Sequence, residues 1–292
     1  RLMRLLFFVL LIFSFDVQSN IPEPGYGLPE LASEARIKEL NSKKRAKVMT
    51  PSVQRKMQRI LEALDEAGIL EQEKALLKKE KKDKEAEAKD KEIAKAIANG
   101  QRELDDLKTR LASLQSYDRS MYYYYSAYYN LAYQDKISEA MNNYVKLVAE
   151  KDTAEKLRVN AYYVLAQLYL SESNYQSGLD YLLRWFKNTA EVNPDGYVLL
   201  GQAYYLLADK ESSKSKILAG YQKAYNNMVE AKRLADEKQI RFRENWYSLL
   251  LASMGELDLK NEPVPVYEEI LELYPKKKYF VNLAGLYNDL DR

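Results

Sequence analysis

One four-residue spacing recurs through the second half of this chain, and it limits the possible folds more than any other feature. Tyr162, Leu165, Ala166 and Tyr169 are separated by three, one and three positions. Thirty-five residues later Tyr197, Leu200, Gly201 and Tyr204 repeat the spacing. Trp246, Leu249, Leu250 and Ser253 form another copy, as do Phe280, Leu283, Ala284 and Tyr287, and Tyr124, Ala127, Tyr128 and Leu131 form a weaker earlier one. Steps of three and four place these side chains on one face of an α-helix. A second set follows each of the first four copies: Ala140, Tyr144 and Leu147; Gly178, Leu182 and Trp185; Ala224, Met228 and Ala231; Pro263, Tyr267 and Ile270. A small residue where two helices cross lets their axes approach, and large residues fill the space around it. A period in the thirties therefore predicts stacked helix pairs. Pro194 and Pro275 stand just before a new copy, where a helix must stop.

Composition agrees. The 292 residues are 47% hydrophobic and 30% charged, and only 10 Gly and 8 Pro leave little material for the turns of a β fold. The expected class is all-α. With no Cys and no His there is no disulfide framework, thiol nucleophile, Cys/His zinc site or imidazole base. A net charge of +2 does not mark a basic nucleic-acid binder. No cofactor or metal site is expected.

Residues 1–19 read as a secretory signal peptide. Arg1 and Arg4 flank Met3, Leu5 to Phe13 is an unbroken apolar run, and Val17-Gln18-Ser19 precedes a cut after Ser19. The alternative is an uncleaved anchor, although the run is short for a bilayer span. Export makes the periplasm the expected location, with membrane contact only through this segment or through partners. Residues 20–49 read as an irregular, polar lead-in.

Residues 50–116 read as an N-terminal helical region. Pro51 opens a helix behind Thr50 as N-cap, with Val53, Met57, Ile60, Leu61 and Leu64 at helical spacing. Residues 70–99 are a charged helical insertion, either a polar arm for a charged partner or a solvated extension. Asn99-Gly100 reads as a helix stop. Leu104, Leu107, Leu111 and Leu114 form an apolar stripe, packed on a neighbouring helix or in a short coiled-coil seam. Residues 117–292 hold the repeats, the last incomplete at Arg292.

Enzymatic chemistry finds no support. The third copy carries an insertion near residues 208–219 whose Ser and Lys lack any oxyanion device. Glu268, Glu269 and Glu272 have the spacing of an ordinary helix surface.

The repeated pattern is that of tetratricopeptide repeats, which form antiparallel helix pairs stacked in a right-handed superhelical solenoid. A closer resemblance lies in four segments: residues 50–68, 193–206, 243–257 and 274–290. They are similar to periplasmic tetratricopeptide proteins associated with the second TonB energy-transduction system of marine gammaproteobacteria. The resemblance covers roughly residues 50–68 and 102–292, and residues 70–99 depart from it. It implies a non-enzymatic accessory of TonB, ExbB and ExbD homologues in outer-membrane uptake of iron chelates or similar nutrients. The alternative is a scaffold for envelope biogenesis, serving outer-membrane protein or cell-wall assembly.

In such an array the first helices line the concave face. The register sends Tyr122, Tyr125, Tyr129 and Tyr133 toward that face. Asn160, Tyr163 and Gln167 follow, then Gln202 and Tyr205, then Glu244 and Tyr247. Tyrosine joins a broad apolar ring to a polar tip, which suits a protein-recognition groove. The competing reading is that these rings pack between helices.

Overall fold

The computed structural model describes residues 26–42 and 47–290, so the expected signal peptide and its cut lie outside the described residues. The described chain is all-α, with twelve α-helices, one short 3-10 turn and no strand. No helix among the described residues is long and apolar enough to cross a membrane. These residues form two compact units, one of residues 47–161 and the other of residues 26–42 with 162–290. The division falls inside the first helix of the second copy.

The first unit begins with a helical hairpin. α2 (Pro51–Lys79) buries Val53, Met57, Ile60, Ala63, Ala67 and Leu70, and α3 (Asp83–Thr109) buries Ala86, Ile93, Ala96, Gly100, Leu104 and Leu107. Steps of three, four and seven keep each set on one stripe. Toward the turn the stripes consist largely of alanine, so the two backbones lie close. Ion pairs join early α2 to late α3 (Lys56–Glu103 2.8 Å, Arg59–Glu103 3.0 Å) and late α2 to early α3 (Glu73–Lys89 2.9 Å). That order makes the helices antiparallel. Such part-exposed pairs contribute only about 0–1 kcal/mol each, so the apolar stripe carries the association.

The charged stretch 70–99 folds back on itself, because the chain reverses inside it at residues 80–82, where Lys81 takes a left-handed φ of 60°. One expectation is corrected here: Gly100 does not stop a helix. It lies in the interior of α3, where its missing side chain leaves room for the hydroxyl of Tyr129. The leucine stripe also ends early. Leu104 and Leu107 are buried in α3, whereas Leu111 and Leu114 follow the helix and pack half-buried on the same core.

Thr50 stands at the α2 N-cap, but its side chain does not bond the helix. Its N–H and Oγ1 both donate to the buried carboxylate of Asp118, at 3.1 and 3.0 Å. Asp118 belongs to α4 (Ser116–Ala132), which pairs with α5 (Ile137–Ala149); Ala140, Tyr144 and Leu147 of α5 are buried as the register requires. Arg119 of α4 grips the Glu150 carboxylate with two bonds of 2.6 and 2.8 Å.

α6 (Glu155–Ser171) crosses the division between the units. In the second unit, α7 (Tyr175–Phe186) buries Gly178, Leu182 and Trp185. A Cβ at Gly178 would lie 2.7 Å from the Leu170 side chain and 3.2 Å from the Ala166 carbonyl oxygen. α8 (Pro194–Ala208) starts behind Asn193, whose side chain accepts from the Gly196 N–H at 2.9 Å. Its Gly201 lies against Met228 and the Ala224 carbonyl of α9 (Lys214–Glu237). The inserted residues 208–219 thus become a short loop and an N-terminal extension of α9. α10 (Glu244–Glu256), α11 (Pro263–Leu273) and α12 (Lys277–Asp289) complete the unit. In α12 the buried aromatic is Tyr279; Phe280, expected inside, is 57% exposed. The lead-in is less irregular than expected, since residues 34–41 form the two-turn helix α1 (Glu34–Asn41) behind a Ser33 cap.

The close approach of α3 and α4 gives a direct test. Placing Ala at an open helix interior in place of Gly stabilises by roughly 0.5–1 kcal/mol. Gly100→Ala should instead destabilise by about 1–3 kcal/mol in urea unfolding, from overpacking against Tyr129. Adding Tyr129→Phe should recover part of the loss. A stabilising Gly100→Ala would contradict the packing.

Candidate functional site

The structure sorts the expected groove residues by their surroundings. Tyr122, Tyr129 and Tyr247 cannot line an open groove. Tyr122 and Tyr129 belong to the core formed with Val53, Met57, Ile60, Leu104 and Leu107, and Tyr247 is 0% exposed. Burial pushes the Tyr129 phenol up to about 12. Tyr125 and Tyr133 are half-buried against the same core. The reason is the same in all five cases: a ring on an inward-facing stripe gains more from burial than its single hydroxyl loses.

Asn160 is exposed on the part of α6 that belongs to the first unit. The remaining candidates lie in the second unit. Tyr163 and Gln167 are half-buried on α6, Gln202 is exposed and Tyr205 half-buried on α8, and Glu244 opens α10. The Tyr163 ring packs 5.0 Å from Trp185, and that of Tyr205 packs 5.0 Å from Tyr221. The Tyr205 hydroxyl donates to Glu256 at 3.3 Å. Burial raises both phenols, and the acids Asp195 and Glu256 add to the effect. Both therefore present neutral hydroxyls, able to donate and to accept.

Several charged residues beside these candidates escaped sequence reasoning. Arg243 pairs with Asp195 at 3.0 Å. Glu244 pairs with Lys276 at 2.6 Å, lies 3.4 Å from Lys278 and accepts from the Tyr279 hydroxyl at 2.6 Å. The first turns of α8, α10 and α12 are thereby joined by charges of alternating sign. A signal for this was present: Asp195 and Glu244 each stand two residues before the first aromatic of their copy, Tyr197 and Trp246. An acid in the first helical turn also complements the helix dipole.

This surface offers phenol hydroxyls, side-chain amides and paired charges. Among the described residues no group of three or more acidic side chains could hold a metal ion. Its chemistry is that of hydrogen bonding and ring contact. Comparison with models of known protein families, with curated proteins and with solved structures finds no match to this chain.

Glu244 makes the surface sensitive to acid. Its hydrogen bonds with Lys276 and then Tyr279 hold the carboxyl down at about 2, against an ordinary value of 4.5. A depressed carboxylate contributes stability that is full above its unfolded value and lost as pH falls through the folded one. Thermal melts should therefore show a loss as pH drops from 4.5 toward 2, and Glu244→Gln should flatten that part of the profile. An unchanged profile in the variant would show that the pair does not hold α10 to α12.

Proposed function

We propose that this chain is a non-enzymatic, protein-binding scaffold of tetratricopeptide type that works in a bacterial periplasm as an accessory of a TonB, ExbB and ExbD energy-transduction system. The supporting observation is the close pairing of helices in the second unit, beside first helices that carry Tyr and amide side chains. Small crossing residues are buried in α7 (Gly178), α8 (Gly201) and α9 (Ala224). The first helices carry the polar and aromatic candidates Tyr163, Gln167, Gln202 and Tyr205. A surface of Tyr and amide side chains, edged by paired charges, fits recognition of an extended peptide or a partner helix. The Tyr205 ring packs 5.0 Å from that of Tyr221, which limits the side-chain entropy left to lose on binding. The exported location rests on the signal-peptide pattern of residues 1–19, and the link to nutrient uptake on the sequence resemblance.

The test is affinity capture from native envelope with a tagged chain after mild cross-linking, read by mass spectrometry. Recovery of TonB, ExbB or ExbD homologues is the expected result. Gln202→Arg combined with Tyr205→Ala should lower that recovery about tenfold, as loss of one good contact would, with helicity by circular dichroism unchanged. Recovery of cell-wall or outer-membrane assembly machinery instead would replace the transport role. Equal recovery by the double variant would move the binding surface elsewhere.

A further inference from the structure

Residues 26–33 lie across the second unit as a strap that turns at Tyr26–Gly27 and then runs without regular structure, and the contacts that hold them are those of a peptide-recognition site. Asn226 of α9 donates its side-chain amide to the backbone carbonyl of Tyr26 at 2.8 Å. Asn227, 0% exposed, donates to the carbonyl of the next residue, Gly27, at 2.9 Å. Two adjacent asparagines on one helix thus read two consecutive carbonyls of a chain segment 200 residues away. The Asn227 amide nitrogen serves two carbonyls, that of Gly27 and, at 2.8 Å, that of Lys223 on its own helix, while its Oδ1 is buried without a hydrogen-bond partner. Burying an amide is costly unless it is bonded, and the Gly27 carbonyl offsets part of that cost.

The side chains of the strap are recognised too. The Lys223 ammonium lies 5.7 Å from the Tyr26 ring centroid and 5.4 Å from that of Tyr204. Gly27 has a φ of 80°, and a Cβ there would lie 2.8 Å from Cβ of Lys223. The position therefore requires glycine on two independent grounds. Pro29 and Ala32 are buried. Glu30 pairs with Lys187 at 2.7 Å, and Arg36 of α1 donates to Asn188 at 3.0 Å.

We propose that α9, with the C-terminal end of α7, forms a clamp for a non-helical peptide of pattern Tyr-Gly-x-Pro-Glu that turns at its glycine, occupied in cis by residues 26–30 of this chain. The clamp uses none of the groove residues named above and stands independently of the scaffold's partners. Its occupant is this chain's own segment, and the same segment supplied as a separate peptide binds once the cis copy is displaced. A tethered segment acts at an effective concentration of order millimolar, so the intact strap shields the clamp from free peptide.

The test uses the full chain and a fluorescein-labelled peptide of residues 24–34, followed by fluorescence anisotropy. Wild-type chain is expected to show no saturable binding at micromolar peptide. Gly27→Val, which clashes with Lys223 and disfavours the turned backbone, should release the strap and give saturable binding. Adding Asn227→Ala to that variant should weaken it at least tenfold, as should Gly27→Val in the peptide itself. Glu30→Lys together with Tyr26→Lys sets like charges against Lys187 and Lys223 without entering the core and should give intermediate binding, which keeps the test decisive if Gly27→Val misfolds. Absence of binding to both released variants, or binding indifferent to Asn227, would overturn the proposal.

Discussion

Two packed helices can approach closely only where one of them lacks a large side chain at the crossing. That constraint is met repeatedly here, by Gly100, Ala140, Gly178, Gly201 and Ala224, all buried between helices. The large neighbours follow from it. Leu182 and Trp185 flank the crossing at Gly178, and Met228 covers the one at Gly201. Fully burying a residue of this size contributes roughly 1.5–3 kcal/mol, so each close crossing lets its flanking residues supply most of the stability of a pair. Exposed ion pairs along the same helices orient them more than they hold them.

Tyrosine is the residue that this packing uses most flexibly. Its ring fills core space in Tyr122, Tyr129, Tyr197 and Tyr247, and its hydroxyl meets an acid in Tyr221 with Asp209, Tyr247 with Glu269 and Tyr279 with Glu244. Each of these bonds needs a neutral phenol beside a charged carboxylate. Burial and the neighbouring acid both favour that protonation state for Tyr247, whose phenol is raised well above its usual range. The half-exposed Tyr163 and Tyr205 continue the same chemistry at the surface, which is why recognition and packing share one residue type here.

Much of the helical framework was legible in the sequence. The three-one-three spacing located the first helices, the small residues located the crossings, and Thr50-Pro51 marked a helix start; Pro194, read only as a place where a helix must stop, is the first residue of α8. Other features were hidden for physical reasons. The reversal at residues 80–82 occurs in a charged run without Gly, Pro or Asn, because Lys81 itself adopts the left-handed conformation. Gly100 resembled a stop because glycine serves both at helix ends and at close crossings. The groove tyrosines could not be sorted, since Tyr125 and Tyr129 stand one turn apart on the same side and differ only in what α2 and α3 place against them. The strap was missed because Asn226, Asn227 and Gly27 bear no local relation in sequence.

The constraint at the crossings is tested most directly by comparing two glycines within α-helices. Gly178 is enclosed by Leu170 and the Ala166 carbonyl, whereas a Cβ at Gly285 in α12 would meet nothing within 4 Å. Urea unfolding of Gly178→Val and Gly285→Ala, each against the unaltered chain, separates packing from helix propensity. The account predicts a loss of about 1–3 kcal/mol or more for Gly178→Val and a gain of roughly 0.5–1 kcal/mol for Gly285→Ala. A Gly178→Val chain as stable as the unaltered one would contradict the close crossing on which the helix pairs depend.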